Sequence, residues 1–356
     1  MDGTLAAEAA AEARRPLTYP FADRPALQPG EVCEVAPGVF RLRLALPFTL
    51  DHINVWALKD GEAWTVVDTG LNMPATIAAW EAALSGPLAG RPVARVVATH
   101  MHPDHIGLAG WFTRRFDCSL HMTRLEYLMC RVLVADTGPA PQAAIDFYRA
   151  AGWGEAQLET YRERFGGFSR GVQPLPDAFH RLEDGGRLTI DGAQWRVVVG
   201  CGHSPEHACL LREADGVFIS GDQVLPRISS NVSVWPTEPE ADPLGDWLAS
   251  IAKLQREVPA GVLVLPSHGE PFYGLHDRLQ DLARHHERTL ERLLRSLSEP
   301  KRVVQLFGAL FARPIGDDLV GMATGEAMAH LNYLKRRGLA DAEPQPGAAT
   351  LWRAKA

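Results

Sequence analysis

The chain has no long apolar run. None of its 356 residues belongs to a stretch of about 18 consecutive apolar positions, so no membrane-spanning helix is expected. No secretory leader is read in "MDGTLAAEAAAEARRPLTYP", which lacks a basic start followed by an apolar block. The expected location is the cytoplasm. Cysteine is scarce: Cys33, Cys118, Cys130, Cys201 and Cys209 are odd in number and contain no CxxC pair. That argues against a disulfide framework and for reduced thiols. Positive charge is also short. With 36 Lys and Arg against 43 Asp and Glu, the net charge is −7, which speaks against a surface built wholly to grip nucleic acid or an anionic membrane. No internal repeat occurs.

What is present is an ordinary globular composition, 46% hydrophobic and 22% charged, enough for a sizeable core. Residues 1–25 read as a flexible N-terminal tail. Strand patterns fill 31–70, and "MPATIAAWEAALSG" reads as a helix closed by Gly86. "VARVVATH" is a buried strand that runs into a polar loop, and "GLAGWFTRRF" is a helix. Residues 122–180 read as a helical insertion that either roofs a site or packs on the sheet. Strands resume at "RLTI", "QWRVVVG", "ACLLREADGVFISGD" and "GVLVLPSHG", and 274–297 is a long amphipathic helix. The unit 26–298 is read as one catalytic domain. After Pro300, helix, helix and a final short strand suit a winged-helix-like module over 299–356.

The polar loop "THMHPDHIGLAG" places His100, His102, Asp104 and His105 within six positions. Imidazole and carboxylate converging at about 2 Å suit a divalent metal. His100 and His102, two apart on extended chain, point the same way. Four donors from one loop exceed what one tetrahedral ion with an open position uses, so the spacing favours two neighbouring ions. Three later segments repeat one form, an apolar strand, a Gly- or Pro-bearing turn, then a polar donor. They deliver His203, Asp222 and His268.

In order, "VVDTG", "THMHPDH", "GHSPEH", "GD" and "SHG" resemble the signature of the metallo-β-lactamase fold hydrolases, over roughly residues 35–275. The resemblance implies an α+β fold, an αββα sandwich with the metals at one edge. It implies that His100, His102 and His203 hold a first zinc, that Asp104, His105 and His268 hold a second, and that Asp222 bridges them. Iron or manganese would also suit these donors. Asp68 resembles the family's aspartate that orients a ligand histidine, and His207 is a second candidate for that supporting role. The C-terminal module resembles the winged helix of the branch that includes the β-lactamase-like endoribonucleases.

The implied mechanism is attack by a hydroxide held between two zinc ions, with Asp104 orienting the nucleophile or passing a proton. The first reading is a di-zinc hydrolase of an ester, thioester or lactone of a small acyl substrate. The alternatives are a metal-dependent endoribonuclease on single-stranded RNA, and a winged-helix regulator or scaffold with a structural metal. Arg227, Asn231, Tyr273 and His52 are the candidate substrate contacts. His121, His180, His276, His285, His286 and His330 are read as solvated or incidental. A small-molecule partner is expected, and "LKRRG" (335–338 with Leu334) leaves an RNA patch open. A homodimer is left open too.

Overall fold

The computed structural model describes residues 16–345 and 348–355. Seven strands form the first sheet in chain order: β1 (Val32–Ala36), β2 (Val39–Ala45), β3 (His52–Asp60), β4 (Ala63–Val67), β5 (Val93–Val97), β6 (Ser119–Met122) and β7 (His180–Arg181). Its first four strands form an antiparallel meander, and β4 to β7 run parallel. A second sheet holds β8 (Arg187–Ile190), β9 (Ala193–Gly200), β10 (His207–Arg212), β11 (Val217–Gly221) and β12 (Leu263–Pro266). Here β8 to β11 alternate in direction, and β12 runs parallel to β11.

Three apolar layers hold the sandwich together. Trp56, Val97, Trp195, Val197, Ile219 and Leu265 meet between the sheets. Their strand neighbours point outward. Val55 and Val96 pack with Trp80 of helix α1 (Pro74–Ser85) and Phe112 of helix α3 (Ala109–Phe116). On the far side, Val198, Phe218 and Val264 pack with Trp247 of α7 (Pro243–Glu257) and Leu279 of α8 (Leu275–Ser296). Strands covered on both faces need apolar residues at successive positions, which is why these segments read as continuous runs. The α+β, αββα expectation is what the chain shows.

Helices α4 (Arg124–Ala135), α5 (Gln142–Ala151) and α6 (Glu155–Arg164) make up the helical insertion. It leaves from β6 and returns at β7, which pair side by side (His121 with His180). Between β5 and α3 lies the short α2 (Pro103–Ile106), part of the polar loop. After α8 come a helical turn over 303–310, with α9 at Phe307–Leu310, then α10 (Val320–Arg336) and a hairpin of β13 (Ala340–Glu343) and β14 (Leu351–Ala354). The single final strand expected from sequence is therefore half of a pair.

One further expectation changes. Residues 1–15 of the expected tail lie outside the described residues. Within 16–25, Thr18 is tied to Tyr273 by a reciprocal backbone pair of 3.2 and 2.8 Å, so this part is docked rather than free. The segment after 299 shares its core with the second sheet. Leu306, Leu331 and Trp352 belong to the same apolar layer as Phe218 and Trp247, and Trp153 Nε1 donates to Thr324 Oγ1 at 2.9 Å. No helix among the described residues is long and apolar enough to cross a membrane.

Candidate metal centre

Every candidate donor follows the C-terminal end of a strand. Asp68 follows β4 and the His100–His105 loop follows β5. His203, Asp222 and His268 follow β9, β11 and β12. Strands β4 and β5 are parallel, as are β11 and β12, and β9 has the sense of β11 because both are antiparallel to β10. Equal strand direction brings these turns to one edge. The two sheets are joined there: Ala208 N donates to Thr99 O at 2.8 Å, and Asn54 N to Ser267 O at 2.6 Å.

The donors converge in overlapping sets, with ligand atoms within 4.8 Å of one another: His100, His102 and His203; Asp104, His105 and His268; and His100, His105 and Asp222. In the first set His102 Nδ1 lies 2.9 Å from His100 Nε2 and 3.1 Å from His203 Nε2. In the second, Asp104 Oδ2 lies 3.6 Å from His105 Nε2 and 3.4 Å from His268 Nε2. Asp222 stands between the sets, with Oδ2 at 3.5 Å from both His105 Nε2 and His203 Nε2, and Oδ1 at 3.4 Å from His268 Nε2. Two donors about 2.1 Å from one ion at a tetrahedral angle lie about 3.4 Å apart, and these separations fall near that value.

Three of the rings are held from behind. His105 Nδ1 donates to Asp68 Oδ2 at 2.8 Å, His203 Nδ1 to Asn231 O at 2.8 Å, and His268 Nδ1 to His52 O at 2.7 Å. Carbonyl and carboxylate acceptors demand a proton on Nδ1, which leaves Nε2 facing the cluster. Asp68 also accepts from Thr99 N and Thr99 Oγ1, both at 2.8 Å. His207 Nε2 accepts from Asp222 N at 3.0 Å and so supports the central carboxylate. Gly221 has φ +51, and a Cβ there would lie 2.5 Å from the His207 ring, so glycine permits this approach.

The electrostatics divide the histidines. Burial, with neighbouring imidazoles, keeps His100 well below its ordinary range and His102 at about 3. Both therefore offer free lone pairs. Burial also works against charge on His105 and His268. The carboxylates outweigh it, Asp104 and Asp222 at both rings and Asp68 at His105, so His105 rises well above its range and His268 to about 10. His105 Nε2 and Asp222 Oδ1 are buried with no hydrogen-bond partner in the protein. Orphaned buried donor atoms, convergent and of nitrogen and oxygen type, fit a divalent metal centre.

The expected substrate contacts fare differently. The polar atoms of Asn231 are committed: Nδ2 donates to Glu326 Oε2 at 2.9 Å, Oδ1 accepts from Ser233 Oγ at 2.5 Å, and its carbonyl holds His203. It supports the His203 donor. Arg227 lies over the Tyr19 ring and Tyr273 pairs with Thr18, so both contact the N-terminal segment. The His52 ring meets Asp51 at 2.5 Å and Arg43 at 2.9 Å, while its carbonyl holds His268. His286 and His330, expected to be solvated, are buried together between α8 and α10, with Nδ1 to Nε2 at 3.3 Å. The run Lys335–Arg337 is committed too, with Lys335 on Glu240 and Arg337 on Asp242, each at 2.9 Å.

Sequence reasoning missed Glu326 and Glu126. Burial, against the Asn231 donation, pushes the Glu326 carboxyl up to about 7. Its folded pKa thus exceeds its unfolded value, so stability is full below pH 4.5 and declines as pH rises to about 7. Relative to Glu326→Gln, the parent is expected to lose on the order of 2 kcal/mol between about pH 5 and pH 8. Urea unfolding of both proteins at the two pH values reads this directly; a difference that does not change with pH would refute it.

Beside Asp104 opens a cleft of about 440 Å³, lined by Phe48, Leu71, Met73, Pro103, Phe168 and Arg170 among others. Most of the lining is apolar. Residues 167–171 reach it from the insertion because Asn72 N donates to Gly171 O at 3.0 Å, and a Cβ on Gly171 would meet Pro103 at 2.9 Å.

Comparison with known proteins agrees with this geometry. The family profile described as the metallo-beta-lactamase superfamily matches residues 48–268, and one described as a metallo-beta-lactamase-like C-terminal domain matches 290–353. A beta-lactamase domain protein from Burkholderia ambifaria is similar at 39% identity and TM-score 0.87, over 95% of this chain and 98% of its own. A metallo-beta-lactamase family protein from Thermus thermophilus is 28% identical at TM-score 0.77, over 90% and 100%. A probable metallo-hydrolase of Bacillus subtilis is 25% identical over 83% of this chain and 92% of its own length. An atrochrysone carboxyl ACP thioesterase of Aspergillus fumigatus is 24% identical over 74% of this chain and 48% of its own.

Proposed function

From a chain that belongs to the metallo-beta-lactamase superfamily, and is a metal-dependent hydrolase, we infer a di-zinc enzyme that cleaves an ester, thioester or lactone of a small acyl substrate. The observation that carries the acyl reading is the apolar cleft beside Asp104. A hydrocarbon chain gains from leaving water there, at about 25 cal/mol per Å². A polyanion does not, and the Lys335–Arg337 run that would serve RNA is engaged with Glu240 and Asp242. A relative that acts as a thioesterase adds support.

Bound zinc would activate water and polarise a carbonyl. His100, His102 and His203 would hold one ion, Asp104, His105 and His268 the other, with Asp222 shared. The protein's own groups do the rest. Asp104 lines the cleft as well as facing His268, so its carboxylate is placed to orient the attacking water and accept its proton. Phe48, Leu71 and Phe168 receive the acyl chain and exclude water from it.

The test is metal analysis followed by a panel of thioesters, esters, lactones and single-stranded RNA, with His102→Ala as control. Two zinc ions per chain and acyl hydrolysis lost in the control are expected. One ion per chain would remove the di-zinc reading, and RNA cleavage lost in the control without acyl hydrolysis would replace the acyl one. Phe168→Ala is expected to raise KM for a medium-chain thioester about tenfold, with kcat changed less than about threefold. An unchanged KM would show that the chain binds elsewhere.

A further inference from the structure

Helix α4 turns a carboxylate inward and leucines outward. Glu126 is 0% exposed, while Leu125, Leu128 and Val132 on the same helix are 47%, 49% and 59% exposed. Burying a carboxylate is costly unless strong donors meet it. Here two do. Met101 N donates to Glu126 Oε2 at 2.9 Å, and Glu206 N donates to Oε1 at 2.8 Å.

The position of these two donors matters. Met101 lies between His100 and His102, and Glu206 lies three residues after His203. One loop follows β5 of the first sheet, and the other follows β9 of the second. A single buried group therefore ties together the two segments that bring the first donor set to one point. The helix is itself locked to the second loop: Thr123 Oγ1 donates to Glu206 O at 2.7 Å, and Leu125 N to Glu206 Oε2 at 3.0 Å.

We propose that Glu126 is a positioning residue that clamps the His100–His102 loop to the His203 loop, so that three imidazoles stand ready before metal arrives. It touches none of the donor atoms. It acts through charge-assisted hydrogen bonds to the backbone beside them, which are stronger than neutral ones. A site organised in advance loses less freedom when the ion binds. On this view the insertion is part of the metal centre's frame as well as a wall of the cleft.

The inference rests on the metal reading of the cluster. Zinc affinity, measured by chelator competition on the full chain, is compared for the parent, Glu126→Gln and Thr123→Val. In Glu126→Gln an amide N–H₂ faces one of the two backbone donors, and the affinity of the tighter ion is expected to fall roughly 10- to 100-fold. Thr123→Val loosens the helix but keeps the carboxylate, and is expected to stay within about threefold. An unchanged affinity in Glu126→Gln, or an equal loss in Thr123→Val, overturns the clamp while leaving the metal reading intact. A parent that binds no zinc overturns both. Should Glu126→Gln not fold, hydrogen exchange on the metal-stripped parent decides: the Met101 and Glu206 amides are expected to exchange on the order of 10²-fold slower than open chain, and free exchange there would overturn the proposal.

Discussion

Asp222→Asn is expected to weaken metal binding and reduce hydrolysis on the order of 10³-fold. Asp222 is the one donor within 3.5 Å of the facing nitrogens of His105, His203 and His268. Its carboxylate is buried, and those histidines hold its pKa well below the usual range despite the burial. An amide removes the charge that faces them and sets an N–H₂ against one ligand position. Breaking a buried charge pairing costs about 3–5 kcal/mol, and each 1.4 kcal/mol is about tenfold in rate or affinity. Equilibrium dialysis against zinc, with far-UV circular dichroism as a folding control, measures the effect. A folded Asp222→Asn that kept the parent's metal content and rate would refute Asp222 as a shared ligand.

Asp68→Ala is expected to destabilise even the metal-free protein, by about 3–5 kcal/mol. Three donors, Thr99 N, Thr99 Oγ1 and His105 Nδ1, would lose their acceptor in a fully buried place. Each orphaned donor costs about 1–3 kcal/mol. The backbone adds to this, since Asp68 has φ +58, where alanine is less at ease than aspartate or asparagine. Asp68→Asn separates the two causes. It keeps the backbone tolerance and one acceptor oxygen, so it is expected to lose less stability than alanine while still weakening metal binding through His105. Urea unfolding of the stripped proteins gives the stability term. A loss under about 1 kcal/mol for Asp68→Ala would show that the network is not holding the loop.

The donors themselves were legible because they are marked locally. His100, His102, Asp104 and His105 are crowded in one loop, and His203, Asp222 and His268 each end an apolar strand. The supporting groups carried no such mark. Helix α4 is apolar on nearly every side, so periodicity could not show that Glu126 turns inward and Leu128 outward. The one available signal was a lone acid in a mostly apolar helix. Asn231 looked like a substrate contact because it follows Asp222 closely. Its partner Glu326 is 95 residues away on α10, and no local pattern announces that pairing. His286 and His330 misled for the same reason, since a histidine on an amphipathic helix is buried or solvated according to what packs across it.

By itself the sequence determined which atoms can meet a metal and that an apolar strand presents each of them, because strand periodicity and turn chemistry act over a few residues. It likewise determined a helical insertion between β6 and β7. Only the tertiary structure decided how those atoms are held: Glu126 across 25 and 80 residues, Asn231 and Glu326 across 95, and the C-terminal helices in one core with the second sheet. Whether a polar side chain is a surface group or a buried clamp depends on the face that covers it, and chain folding brings that face from far away in sequence.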